Sequence, residues 1–199
     1  INRSSYLDRL RRAFYGRISS VVQKTNTHLL ILDHARHVMR GYPMIKELPT
    51  VAIVGVPNVG KTTLLSKLTS SKAEIAPYAF TTKSINCGYI SFGSKMVQLL
   101  DTPGTLARPE KMNAIEKQAY CAMKFCANIL IYVFDPTETY PPEKQEKLFD
   151  IVSAFNKHLL IYLSKTDVAE EDAIQAFKQK HPEIITSIEE INSSIHSLL

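Results

Sequence analysis

Residues 51–68 constrain the fold more tightly than any other stretch. Val51-Ala-Ile-Val54 is a short β-branched run, Gly55-Val-Pro-Asn-Val-Gly60-Lys61-Thr62 follows directly, and Thr62 to Leu68 has helical spacing. A strand, a glycine turn and a helix in that order fill the pattern G-x-x-x-x-G-K-[ST], which needs a backbone bent enough to aim successive N–H groups into one small space. Gly55 and Gly60 permit the bend, because glycine has no Cβ to clash. The helix N-terminus behind the loop adds unpaired N–H groups and the positive end of its dipole. Such a concavity suits a phosphate chain. Lys61 is expected along the outer phosphates and the Thr62 hydroxyl on Mg²⁺. Gly55, Pro57, Asn58, Val59, Gly60 and Thr63 complete the expected contact surface.

Further strands are expected at Ile85–Phe92, Met96–Leu100, Ile129–Phe134, Leu159–Leu163 and briefly Ile184–Thr186, with helices near Asn113–Phe125, Pro142–Ala154, Glu170–Lys180 and Glu190–Leu198. This alternation predicts an α/β architecture with a mostly parallel sheet covered by helices on both faces, and ligands bind beyond the carboxyl ends of such strands. Ahead of it, Tyr6, Leu10, Ala13, Phe14, Ile18 and Val21 predict one amphipathic helix from Ser4 to about Val22, with Ser5 followed by Asp8 suiting its start. A polar break at Thr25-Asn26-Thr27 separates it from a second pattern, Leu29 to Met39, that stops at Gly41 with Pro43 behind. The division is a helical segment over 1–48 and a ligand-binding domain over 49–199, and the opening at Ile1 reads as a fragment.

With 45% hydrophobic residues the chain can build a core, yet it has no apolar run of the roughly 18–20 residues that cross a bilayer, and its start is too polar for a secretory signal. The expectation is a monomer inside the cell with no membrane partner. Cys87, Cys121 and Cys126 lack C-x-x-C spacing and read as buried reduced thiols. His28, His34 and His37 share a helix without a supporting ligand cluster, so no metal site is expected there. A net charge of +5 makes a polyanionic partner plausible, and Arg9, Arg11, Arg12 and Arg17 either track a phosphate backbone or form a solvated face.

Leu99-Leu100-Asp101-Thr-Pro-Gly104 puts a carboxylate at a strand tip, suited to hold the metal through water, and a glycine N–H near the last phosphate. Between it and the first loop, Thr81 or Thr82 could reach the metal. Ser164-Lys165-Thr166-Asp167 follows another strand. A carboxylate there accepts from N1–H and the 2-amino group of guanine, two donors adenine lacks, and Lys165 can lay its methylene stem over the base. GTP or GDP is the expected ligand, with a P-loop ATPase as the weaker alternative.

In these loops the chain closely resembles the Obg-related GTPases, and within them the nucleolar GTP-binding proteins and their archaeal counterparts. The most specific stretches are Leu10-Arg-Arg-Ala-Phe-Tyr-Gly16-Arg17, Pro57-Asn-Val-Gly-Lys61, Pro77-Tyr-Ala-Phe-Thr-Thr-Lys83, Asp101-Thr-Pro-Gly104 with Arg108-Pro109, and Asn113-Ala-Ile-Glu-Lys-Gln118. The resemblance implies a Ras-like P-loop G domain, Thr82 as the switch I threonine on Mg²⁺, and base contacts from the loop at Thr186-Ser187-Ile188. It also implies a GTPase switch in assembly of the large ribosomal subunit, contacting ribosomal RNA or a pre-ribosomal particle, in the cytoplasm or, in a eukaryote, the nucleolus. Catalytic roles would fall to Lys61, Thr82, Gly104 and Asn58.

The chain departs from that pattern in places. Ser164 replaces the usual Asn, so a hydroxyl must brace the P-loop in place of an amide. Thr105 stands where Ras-like enzymes carry a water-orienting Gln, and the segment Arg108–Asn113 is shorter, with Met112 at a usual arginine. Without the glutamine, Asn58 either recruits K⁺ beside the β- and γ-phosphates or only stabilises its turn. Slow hydrolysis is the expectation. The competing reading is a module that senses GTP or GDP with negligible hydrolysis.

Overall fold

The structure, a computed structural model, describes residues 3–40, 45–69, 85–104, 112–137 and 140–199. It divides into two compact units, Ile1–Tyr42 and Pro43–Leu199.

In the first unit, α1 runs unbroken over Arg3–Arg40 in place of the two expected helices. The expected break fails because Thr25 turns its hydroxyl back onto the Val21 and Val22 carbonyls at 3.2 and 3.0 Å, which keeps its polar group inside the helix. Three polar residues cost only tenths of a kcal/mol each in propensity, and no proline interrupts the span. The expected stop at Gly41 and Pro43 lies outside the described residues.

The second unit is built on a five-stranded sheet. Its elements are β1 (Thr50–Val54), α2 (Lys61–Leu68), β2 (Asn86–Phe92), β3 (Lys95–Asp101), α3 (Ala114–Cys121), β4 (Ile129–Phe134), α4 (Pro142–Ser153), β5 (His158–Leu163), α5 (Glu171–Lys180) and α6 (Ile188–Ser197). Strand order is β2-β3-β1-β4-β5. All pairings are parallel except the β2–β3 hairpin, which turns at Gly93 with φ 63°. β1 and β4 are buried along their whole length and read as continuous apolar runs, as strands covered on both faces must. Helix side chains such as Leu64, Leu65, Leu148 and Ile191 close over the sheet and are at most 3% exposed.

Three expectations change here. Ile184–Thr186 makes a single bridge, Tyr162 to Ile185, in place of a strand. The helix after Asn113 passes into a π-helical turn at Ala122–Cys126, which changes the face each residue presents. Cys121, at the last position of α3, is exposed and Cys126, in the π-helical turn, is only half-buried, while Cys87 is buried as expected. The start of α3 is fixed by a capping box: Asn113 Oδ1 accepts from the Glu116 N–H at 2.8 Å and the Glu116 carboxylate accepts from the Asn113 N–H at 3.0 Å.

Candidate functional site

The chain leaves β1 at the centre of the sheet, where its loop can meet the tips of β3, β4 and β5. A Cβ at Gly55 would lie 2.8 Å from the Val133 carbonyl oxygen, so the loop escapes past β4 only because that position is glycine. Asn58 and Gly60 take φ of 65° and 92°, which Asn tolerates better than other side chains. Lys61 Nζ donates back to the carbonyls of Val56 at 2.8 Å and Gly55 at 3.2 Å. Burial draws its ammonium down to about 8, with the Asp101 charge offsetting part of that fall.

The tip of β3 reaches the same loop. The register pairs Ile53 with Asp101, and Thr62 Oγ1 donates to Asp101 Oδ2 at 2.6 Å. Asn86 Nδ2 donates to that same oxygen at 3.1 Å. A hydroxyl and a carboxylate within contact at the helix N-terminus are the hard oxygen donors that Mg²⁺ takes when phosphates supply the rest of its shell, so this pair fits that ion. Gly104 presses on the loop: a Cβ there would lie 2.6 Å from Pro57 Cα and 2.7 Å from Pro57 N. Thr81, Thr82 and Thr105 lie outside the described residues. Among the described residues no cluster of three or more His, Cys, Asp or Glu is placed to hold a metal.

β5 delivers the third loop. The Ser164 hydroxyl lies 2.7 Å from the Val59 carbonyl and 2.9 Å from that of Phe134. It has one proton to give, and the Ser164 N–H already donates to Phe134 at 2.9 Å, so the hydroxyl serves Val59 and ties the two loops together. Lys165, at φ 52°, sends its Nζ to Asp135 Oδ2 at 2.6 Å. Beside them is a cavity of about 230 Å³ whose lining includes Gly60, Thr63, Tyr162, Ser164, Lys165 and Asp167. Burial raises the Tyr162 phenol above its ordinary value, and the nearby Asp167 carboxylate adds to the rise.

Ser187 caps α6, accepting from the Glu190 N–H at 3.4 Å, and donates to Glu189 at 2.7 Å. The Ile185 bridge brings this cap and Ile188 to the β5 side of the sheet, although neither is among the described residues lining the cavity. The sequence reading missed Asp135, buried at the end of β4. Burial pushes its carboxyl up, but hydrogen bonds from Lys165 and Thr137 outweigh that and hold it below the ordinary carboxylate range. Its only sequence signal is an aspartate directly after a strand, in Phe134-Asp135-Pro136.

Residues 50–165, the span that carries the 55–62 loop, the 101–104 loop and the start of the loop at Ser164, match the family described as 50S ribosome-binding GTPase. The chain belongs to this family. A relative from Methanocaldococcus jannaschii, itself uncharacterised, is 39% identical over 84% of this chain and 48% of its own length. Nucleolar GTP-binding protein 1 of Candida glabrata is 34% identical over 90% of this chain and 29% of its own length. The chain thus spans half or less of these relatives. Era of Aquifex aeolicus, bound to GDP and aluminium fluoride, superposes with a TM-score of 0.59 at 26% identity, covering 77% of this chain and 57% of Era. Era in complex with MgGDPNP and a segment of 16S ribosomal RNA gives a TM-score of 0.55 at 27% identity, over 76% and 55%. The G-domain fold expected from sequence is the one observed, and no helix among the described residues is long and apolar enough to cross a membrane.

Proposed function

We propose that this chain is a guanine-nucleotide switch that binds GTP or GDP with Mg²⁺, hydrolyses GTP slowly, and acts in assembly of the large ribosomal subunit. One observation carries the reading: two separate loops converge on residues 55–62 through three contacts, Thr62 on Asp101, Gly104 on Pro57 and Ser164 on Val59. In this reading the loop N–H groups and Lys61 take the phosphates, while Asp167 accepts from guanine and Lys165 covers the ring. Thr62 and Asp101 hold Mg²⁺, with Thr82 joining when the γ-phosphate is present; the bound ion neutralises charge on the phosphate oxygens. The Ser187-Ile188 turn faces the base oxygen with its N–H groups. Gly104 senses the last phosphate.

Hydrolysis has no local glutamine to orient water, so it runs on the order of 10⁻⁴ to 10⁻³ s⁻¹ without an activator. Asn58, whose side chain is exposed at the loop crest, helps recruit K⁺ as the missing positive charge. Thr105 favours the second reading, a sensor with negligible turnover. The named relatives support a ribosomal partner, and Arg9, Arg11, Arg12 and Arg17 of α1 supply charge for ribosomal RNA. The protein acts as a monomer in the cytoplasm, or in the nucleolus of a eukaryote.

Single-turnover GTP hydrolysis with and without large ribosomal subunits, in K⁺ and in Na⁺ at matched ionic strength, tests the reading. Stimulation by subunits and by K⁺ is expected. Turnover that neither subunits nor K⁺ raises favours the sensor, and ATP preferred over GTP overturns the assignment of the base.

A further inference from the structure

Gln145 lies in the first turns of α4 and is wholly buried beneath the tip of β4. Its Oε1 accepts from the Asp135 N–H at 2.9 Å, and its Nε2 donates to the carbonyls of Asp135 at 2.8 Å and Tyr140 at 3.0 Å. One planar amide therefore grips the Asp135 backbone on both sides. The α4 backbone beneath it is anchored in turn, because the Gln145 carbonyl accepts from Tyr132 OH at 2.6 Å. The clamped Asp135 carboxylate is engaged on both oxygens: Oδ1 takes the Thr137 N–H and hydroxyl at 2.9 and 2.6 Å, and Oδ2 takes the Lys165 ammonium at 2.6 Å. A lysine side chain without a fixed partner samples many rotamers. Tied at its far end, the Lys165 stem is held in one position on the cavity wall.

We propose that Gln145 and Asp135 are positioning residues for purine binding, the amide fixing Asp135 and Asp135 fixing the Lys165 stem as the platform on which the base lies. This rests on reading the cavity as the guanine site. An apolar stem against a ring face does not distinguish the groups on the ring edge, so the relay governs how tightly any purine binds and leaves the choice of purine to Asp167.

The test is calorimetric titration of the Mg²⁺-loaded protein with GDP, IDP and inorganic tripolyphosphate, using wild type, Asp135→Asn, Gln145→Glu, Lys165→Met and each buried variant combined with Lys165→Met. Asp135→Asn and Gln145→Glu should each weaken GDP about tenfold, leave tripolyphosphate and the GDP-to-IDP ratio within about twofold, and lose their effect in the Lys165→Met background. An equal loss of GDP affinity in that background, or an equal loss for tripolyphosphate, overturns the proposal. Thermal melting identifies a variant that does not fold. If neither buried variant folds, Lys165→Met alone decides, and unchanged GDP affinity overturns the proposal. Wild-type protein that takes tripolyphosphate and refuses GDP sinks the guanine reading instead.

Discussion

Raising the pH through the Lys61 titration gives a prediction that depends on the site being a phosphate site at all. In the nucleotide-free protein, burial draws the Lys61 ammonium to about 8, and Asp101 only partly restores it. A phosphate chain laid beside that ammonium returns its pKa toward the ordinary ~10.4. The bound protein therefore keeps a proton that the free protein has begun to lose, and binding must take one up. Near pH 8 half of the free molecules lack it, so uptake should be about 0.5 proton per nucleotide, against about 0.1 near pH 7. By the same linkage GDP affinity should fall about fourfold between pH 7 and ~8.5, in a window below the ionisation of guanine N1. Titration calorimetry in two buffers of different ionisation enthalpy reads the uptake directly. Stability without nucleotide moves the other way. The folded pKa lies below the unfolded one, so burying Lys61 is costly below about 8, and the cost is relieved as pH rises from there to ~10.4. A binding enthalpy independent of buffer near pH 8, with affinity flat to ~8.5, would refute the reasoning.

Two substitutions test the joints between the loops, and a third tests the cap of α3. Gly104→Ala drives a methyl into the Pro57 main chain at 2.6 Å and should cost about 1–3 kcal/mol in stability and weaken GTP; an unchanged melting temperature and GTP titration would show that the two loops do not press together. Ser164→Ala removes the hydroxyl that serves Val59 while the main-chain bond to Phe134 survives, so about 1 kcal/mol of stability is expected to go. Tripolyphosphate should weaken along with GDP in that variant, because the lost bond braces the phosphate loop itself. Asn113→Ala breaks the capping box of α3 and should lower stability by about 1 kcal/mol in a thermal melt, leaving nucleotide affinity in place.

The readings that held were those written in local pattern. β1 and β4 announce themselves as apolar runs because each is buried along its whole length, β3 and β5 because their C-terminal halves are, and the glycine spacing of residues 55–60 follows from steric demands that no distant contact alters. The readings that failed depended on neighbours. A polar triplet at Thr25-Asn26-Thr27 looks like a break until the Thr25 hydroxyl finds its own helix carbonyls. Ile184–Thr186 has the composition of a strand, yet only Ile185 bridges β5. Gln145 was invisible for a related reason. A glutamine in an amphipathic helix reads as surface, and only the fold shows it buried with both amide atoms engaged on Asp135.

The joints also differ in kind, and that difference indicates which side of the site can move. On the base side, the buried Ser164 is bonded to the phosphate loop and Lys165 is paired with the buried Asp135 carboxylate, so displacing either takes a donor from a buried oxygen, that of Val59 or of Asp135. On the phosphate side, Gly104 meets Pro57 through close packing, and Asp101 accepts from the exposed Thr62, a bond that a metal ion can take over. The cheaper rearrangement is therefore at Asp101–Gly104. A switch built on this scaffold should hold the base in one pose through its cycle and express the presence of the last phosphate through the segment that follows β3. Hydrogen exchange compared between the GDP and GTP-analogue states checks this: protection should change after Asp101 and stay constant from Ser164 to Asp167, and a change confined to the latter segment would reverse the assignment.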